Sequence, residues 1–138
     1  HIPDGSRMNT NISQVPVSWH IEHVLIATLA ITDQLSKSDP SNYKWQFNKN
    51  RLLVFGLNKI PRGKAKAPAA VIPKDNTSIE RMNKLVELTR DKINTIGNLD
   101  PRSHVKHPNL GLLDVSGAMR FVKIHLKHHL KIIEDIMR

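Results

Sequence analysis

The 138-residue chain contains no cysteine. That removes disulfides, thiolate metal ligands and any cysteine nucleophile, so a transition metal would have to rest on histidine and carboxylate side chains. Long apolar runs are missing too. No stretch approaches the roughly 18 consecutive apolar residues of a transmembrane helix, and no membrane partner is expected. No charged segment followed by an apolar one opens the chain, so secretion is not indicated and a cytoplasmic location is the default expectation. The chain begins on His1, and residues 1–12, with HIPDGSR at their front, read as tag-derived or disordered.

Negative charge is absent from one long stretch. No acidic residue falls between Asp39 and Asp75, where Lys44, Lys49, Arg51, Lys59, Arg62, Lys64, Lys66 and Lys74 all lie, in a chain of net charge +9. Such a block suits nucleic acid, an acidic substrate or an anionic surface, and equally a solubilising basic face. Internal repeats, low-complexity segments and convincing strand patterns are also lacking.

What remains is helical. The length suits one domain, residues 1–138, and 39% hydrophobic with 24% charged residues is an ordinary globular balance. A first helix is expected from about Val17 to Ser36, with Val17, His20, Val24, Ala27, Ile31 and Leu35 on one face. It should stop at SDP, where Asp39 can cap a second helix with Pro40 in its first turn. That second helix is expected over about Ser41 to Leu57, carrying Tyr43, Trp45, Phe47 and Phe55. Pro61, Pro68 and Pro73 then forbid a continuous helix over 58–76, a loop long enough to be functional or mobile. Thr77 and Glu80 have capping-box spacing for a third helix, with Ile79, Met82, Val86, Ile93 and Ile96 as its stripe and Gly97 as its stop. An irregular stretch covers 98–113, and Asp114 caps a fourth helix that runs to the end. Four amphipathic helices predict an all-α four-helix bundle, with a crossover connection over the long loops.

Three of the eight histidines fall in IHLKHHLKIIEDIMR. At about 100° per residue, Arg120, Lys123, Lys127 and Lys131 share an outer stripe, while His125 and His129 fall among the apolar positions and His128 on the flank. Ile124 falls on the basic outer side, where an exposed apolar residue would mark a helix–helix contact and a homodimer. Two imidazoles facing a core need partners for their nitrogens. An i, i+4 pair can hold one metal ion with both rings, and it can equally be a hydrogen-bonded core pair or a pH-sensitive contact. A third ligand would come from SWHIEH in the first helix, where periodicity favours His20 over His23.

SWHIEH, then HPNLG, then RFVKIHLKHHL, with YKWQFN and PRGKAKAP between, resembles the DinB-like (YfiT-type) superfamily of metal-dependent enzymes, over about Val15 to Asp135. The resemblance implies a four-helix bundle with a three-histidine site formed by His23, His125 and His129. Leu110 stands where relatives often carry an aromatic, and Ile132 where many have glutamine, so this pocket is less polar and less aromatic than theirs.

Three neutral imidazoles leave coordination positions open, as a catalytic site requires. The expected cofactor is a divalent metal, zinc first, with nickel, iron and manganese open, because imidazole suits all of them. The expected partner is a small-molecule substrate, with a thiol cosubstrate from outside since the chain has none of its own. The resemblance implies a thiol-dependent transfer or a hydrolysis, and Glu22, His20 and His107 are the candidate acid–base residues. The other reading is a non-catalytic basic bundle that binds nucleic acid or another polyanion.

Overall fold

The computed structural model describes residues 1–74 and 77–138; Asp75 and Asn76, which end the 58–76 loop, lie outside the described residues. Among the described residues four α-helices make up about half of the chain: α1 Val17–Lys37, α2 Lys49–Leu57, α3 Ile79–Thr95 and α4 Val115–Met137. An antiparallel hairpin of β1 His104–His107 and β2 Gly111–Asp114 precedes α4.

α1 begins behind Pro16 and buries Val17, Val24, Ala27, Ile31 and Leu35, the face its sequence spacing sets out. It packs on both α3 and α4. α4 starts at Asp114, whose carboxylate accepts from the Gly117 amide at 2.8 Å. α3 is capped by Ser78, which accepts from the Arg81 amide, rather than by Thr77 with Glu80. It ends at Thr95, and Gly97 lies in a single 3-10 turn beyond it.

The second helix is shorter than its sequence suggests. Asp39 does cap, but only one 3-10 turn, Pro40–Asn42. Asn48 then takes the Arg51 amide and starts α2 at Lys49. In between, the Arg102 and Arg51 side chains occupy the Tyr43 and Gln46 carbonyls, acceptors that a continuous helix would have used itself. Tyr43, Trp45 and Phe47 therefore sit outside α2, which buries none of its residues and meets the main core only through half-buried Val54 and Phe55. The three long helices form the centre and α2 lies on the outside. Ile79 and Ile93, expected on the inner stripe of α3, stay exposed, since among the described residues no fourth long helix covers them.

The hairpin replaces the irregular stretch expected at 98–113. Val105 pairs with Leu113, both buried. The turn is held by His107, whose Nδ1 accepts from the amides of Asn109 and Leu110 at 3.1 Å each, and Gly111 takes the positive φ of 73° that closes it. Ser38 ties this hairpin to α1: its hydroxyl donates to the Leu35 carbonyl and accepts from the His104 amide.

Ile124 is buried, 2% exposed, and not the exposed contact its helical position implied. The 58–74 loop runs along that flank of α4. Arg62 pairs with Asp135 at 2.7 Å, and Ile60 packs on the main core. The exposed apolar residues of α4 are instead Leu126 and Leu130.

The interior falls into two apolar clusters. One joins Ile31 and Leu35 to Ala118, Phe121 and Val122 with the hairpin residues; the other joins Val17 to Ile132, Ile133 and Ile136. The start of α1 thus meets the end of α4, so the two helices run antiparallel. Between the clusters both helices present histidine.

Candidate metal centre

His20 and His23, three apart on α1, and His125 and His129, four apart on α4, each lie one helical turn from their partner and share a face. Antiparallel contact brings the two pairs together. His23 Nε2 stands 3.2 Å from His125 Nε2, and His129 Nε2 stands 3.1 Å from the same atom. One ring nitrogen each of His23, His125 and His129 lies within 4.8 Å of the others, a grouping that could hold a metal ion. His23 and His129 are 4% and 8% exposed, and His125 keeps a partial opening to solvent.

Two of the outer nitrogens are held, those of His23 and His129. His23 Nδ1 donates to the Val71 carbonyl at 2.8 Å, a contact supplied by the long loop. A carbonyl only accepts, so the His23 proton sits on Nδ1 and its Nε2 presents a lone pair to the cluster. His129 Nδ1 lies 3.0 Å from His20 Nδ1, and His20 Nε2 lies 2.9 Å from the Ser13 hydroxyl. Aromatic rings close the sides: Trp19 stacks on His23 with centroids 4.8 Å apart, and Phe121 stacks on His125 at 5.4 Å.

Burial keeps these rings neutral. Removal from water pushes His20 down from 6.5 to about 4, His125 to about 3 and His129 to about 2, with repulsion from neighbouring histidines adding to each. His23 is also lowered by burial, partly offset by its bond to Val71. Neutral imidazole is the form that ligates a metal.

This donor set fits a divalent transition ion. Three Nε2 atoms converge with no carboxylate among the described residues joining the group, and one of the three is committed to a lone pair by its outer hydrogen bond. Without an ion, no placement of the His125 and His129 ring protons gives each of the two Nε2–Nε2 contacts a proton of its own. An ion satisfies all three lone pairs at once. A backbone carbonyl like that on His23 is a usual outer partner of metal-binding histidines, and on His129 an imidazole stands in that place.

The other candidates have different work. Glu22 is fully buried but faces α3, where Oε1 accepts from Arg81 Nε at 2.8 Å while Oε2 has no hydrogen-bond partner among the described residues. His107 holds the hairpin turn and packs on Phe121 at 4.5 Å, so it reaches the cluster only through that ring. His128 is half-buried on the flank near the loop, lowered by burial and by Arg62. His20 is as buried as His23 and joins the cluster through His129. Ser13, Trp19, Val71 and Phe121 carry no sequence signal for this role: a serine before a helix, a loop carbonyl and two aromatic residues look the same whatever they touch.

Comparison with protein-family models, with curated proteins and with solved structures found no match for the chain.

Proposed function

We propose that the protein is a metal-dependent enzyme whose divalent ion, zinc in the first place, is held by His23, His125 and His129. The observation that carries this reading is the meeting of three neutral imidazole Nε2 atoms between two apolar clusters, a costly layer to build without a ligand. A bound divalent ion supplies Lewis acidity there, with coordination positions beyond the three rings left for a reactant. The resemblance of SWHIEH, HPNLG and RFVKIHLKHHL to DinB-like enzymes supports the same reading and narrows the reaction to thiol-dependent transfer or hydrolysis on a small molecule.

The chain's own residues hold and shelter the reactant. Trp19 and Phe121 flank the cluster, the Val71 segment covers it, and the partial exposure of His125 marks the side of approach. Glu22 and His107, bound to Arg81 and to the hairpin turn, serve those contacts rather than proton transfer.

The test is a reconstitution. Protein stripped with a chelator and reloaded with one equivalent of zinc, nickel, iron or manganese is screened for hydrolysis and for thiol transfer to electrophiles. Turnover that appears with one metal and disappears on stripping is expected. A protein that binds none of the four ions would end the reading.

A second reading, a polyanion-binding surface, is favoured by α2 and its flanks. Trp45 and Phe47 are 69% and 68% exposed, Arg51 lies over the Trp45 ring, and Lys44, Lys49, Lys59, Lys64 and Lys66 are exposed in the same part of the chain. Exposed aromatics among cations suit stacked, single-stranded nucleic acid. Binding to a single-stranded oligonucleotide should then weaken steeply with salt and fall further in the Lys64→Ala, Lys66→Ala double variant. Binding that is absent at low salt removes this reading.

A further inference from the structure

His20 and Ser13 have no place in a three-histidine centre, yet both are fixed in a chain of hydrogen bonds that ends on one of its members. The Ser13 hydroxyl accepts from the Val15 amide at 3.2 Å and lies 2.9 Å from His20 Nε2; His20 Nδ1 lies 3.0 Å from His129 Nδ1. Each ring is neutral and carries one proton, so the chain has two arrangements. In one, Ser13 donates to His20 Nε2 and His20 Nδ1–H donates to His129 Nδ1. The His129 proton is then forced onto Nε2, which cannot ligate. In the other, His129 Nδ1–H donates to His20 Nδ1 and His20 Nε2–H donates to Ser13, which leaves His129 Nε2 with a lone pair aimed at the cluster.

We propose that His20 is the positioning residue of the centre, and that it sets His129 as a ligand by accepting the His129 Nδ1 proton contact and passing its own N–H to Ser13. This rests on the metal-centre reading above. The three atoms then have matched roles. Val71 fixes His23 from outside, His20 fixes His129, and both Nε2 lone pairs face inward on either side of His125 Nε2. Carboxylates often hold metal-ligating histidines in this way. Here the holder is a neutral imidazole, so it orients the ligand without cancelling charge at the ion. The relay also gives Ser13, in the turn before α1, a hand in the site: its hydroxyl is anchored by Val15 and can turn its oxygen toward His20 only while that turn is formed.

Zinc affinity, measured by competition with a coloured chelator, and ring tautomers, read from nitrogen-15 NMR of the histidines, test this. His20→Phe keeps the ring volume but cannot accept, and should weaken zinc binding roughly 10–100-fold, the usual cost of losing such an outer partner. His20→Gln, whose amide oxygen accepts a hydrogen bond, should recover most of that loss, and Ser13→Ala should show a smaller one. In the zinc-loaded wild type, His20 should carry its proton on Nε2 and His129 on Nδ1. Zinc affinity unchanged in folded His20→Phe, or a His20 proton found on Nδ1, overturns the relay while leaving the centre standing. A wild type that takes up no zinc overturns the centre itself, and the relay with it. If His20→Phe does not fold, the tautomers and the Ser13→Ala affinity decide the matter.

Discussion

Alanine in place of His125 or His129 should take the protein from about one equivalent of bound zinc to almost none. Structural zinc sites with four ligands contribute about 10–16 kcal/mol, so each ligand accounts for roughly 3 kcal/mol, a factor on the order of 10² in affinity. A three-ligand centre that loses one member becomes a two-histidine pair, which competes poorly with chelators or serum-like metal buffers. His23→Ala should match the other two, since its Nε2 meets His125 at 3.2 Å. His128→Ala is the control: it changes the same helix one position away, and its ring stands beside His129 at 5.0 Å between centroids without belonging to the cluster. Metal content by elemental analysis, on proteins purified from zinc-supplemented medium with folding checked by circular dichroism, reads the result. Equal zinc in the wild type and in the His125→Ala and His129→Ala variants would show that these rings do not hold it.

Stripped of metal, the protein should lose stability steeply as the pH falls below about 6.5. His20, His125 and His129 titrate at 6.5 in an unfolded chain and at about 4, 3 and 2 in the folded one. Between those values the unfolded chain binds more protons than the folded chain, so unfolding is favoured by acid. The contribution of each ring is therefore whole above pH 6.5 and is lost progressively as the pH drops toward the folded value. Each pH unit moves a single group by about 1.4 kcal/mol, so near pH 5 the three together cost several kcal/mol, a large part of the 5–15 kcal/mol that holds a typical domain together. The carboxylates do not confuse the window. Asp33, Asp39 and Asp135 are lowered by their hydrogen-bond partners from 3.8, so their effects appear only below that. Thermal melting in a chelator at a series of pH values should show the drop, and a His125→Leu, His129→Leu variant should flatten it. A midpoint that stays level from about pH 7.5 to pH 5 would mean that the rings are not held neutral by the fold.

Parts of the site were legible before any fold was known. The i, i+4 spacing of His125 and His129 puts both rings on the inner face of α4, because helical periodicity depends on nothing but the backbone. The same arithmetic misplaced Ile124, since it cannot see that the 58–74 loop covers that flank. His20 against His23 could not be settled from one helix. Both are buried to the same 4%, and the difference between them is which atom of α4 each meets. The hairpin at 104–114 escaped because two four-residue strands are too short for an alternating pattern; HPNLG, with proline, asparagine and glycine together, was its one turn signal. The truncated start of α2 escaped because the side chains that claim its carbonyls, Arg51 and Arg102, reach them only in the folded chain.

The sequence by itself determined that the protein is mostly helical, that any metal must rest on histidine or carboxylate, and that α4 points two of its histidines inward. Those follow from composition and from the helical repeat, which are local. Only the tertiary structure decided that α1 and α4 lie antiparallel, so that a histidine layer forms between two apolar clusters, that a loop carbonyl and a second imidazole hold two of its rings from outside, and that Glu22 belongs to Arg81. Each of those is a contact between residues tens of positions apart, and no local pattern encodes which partner a side chain will meet.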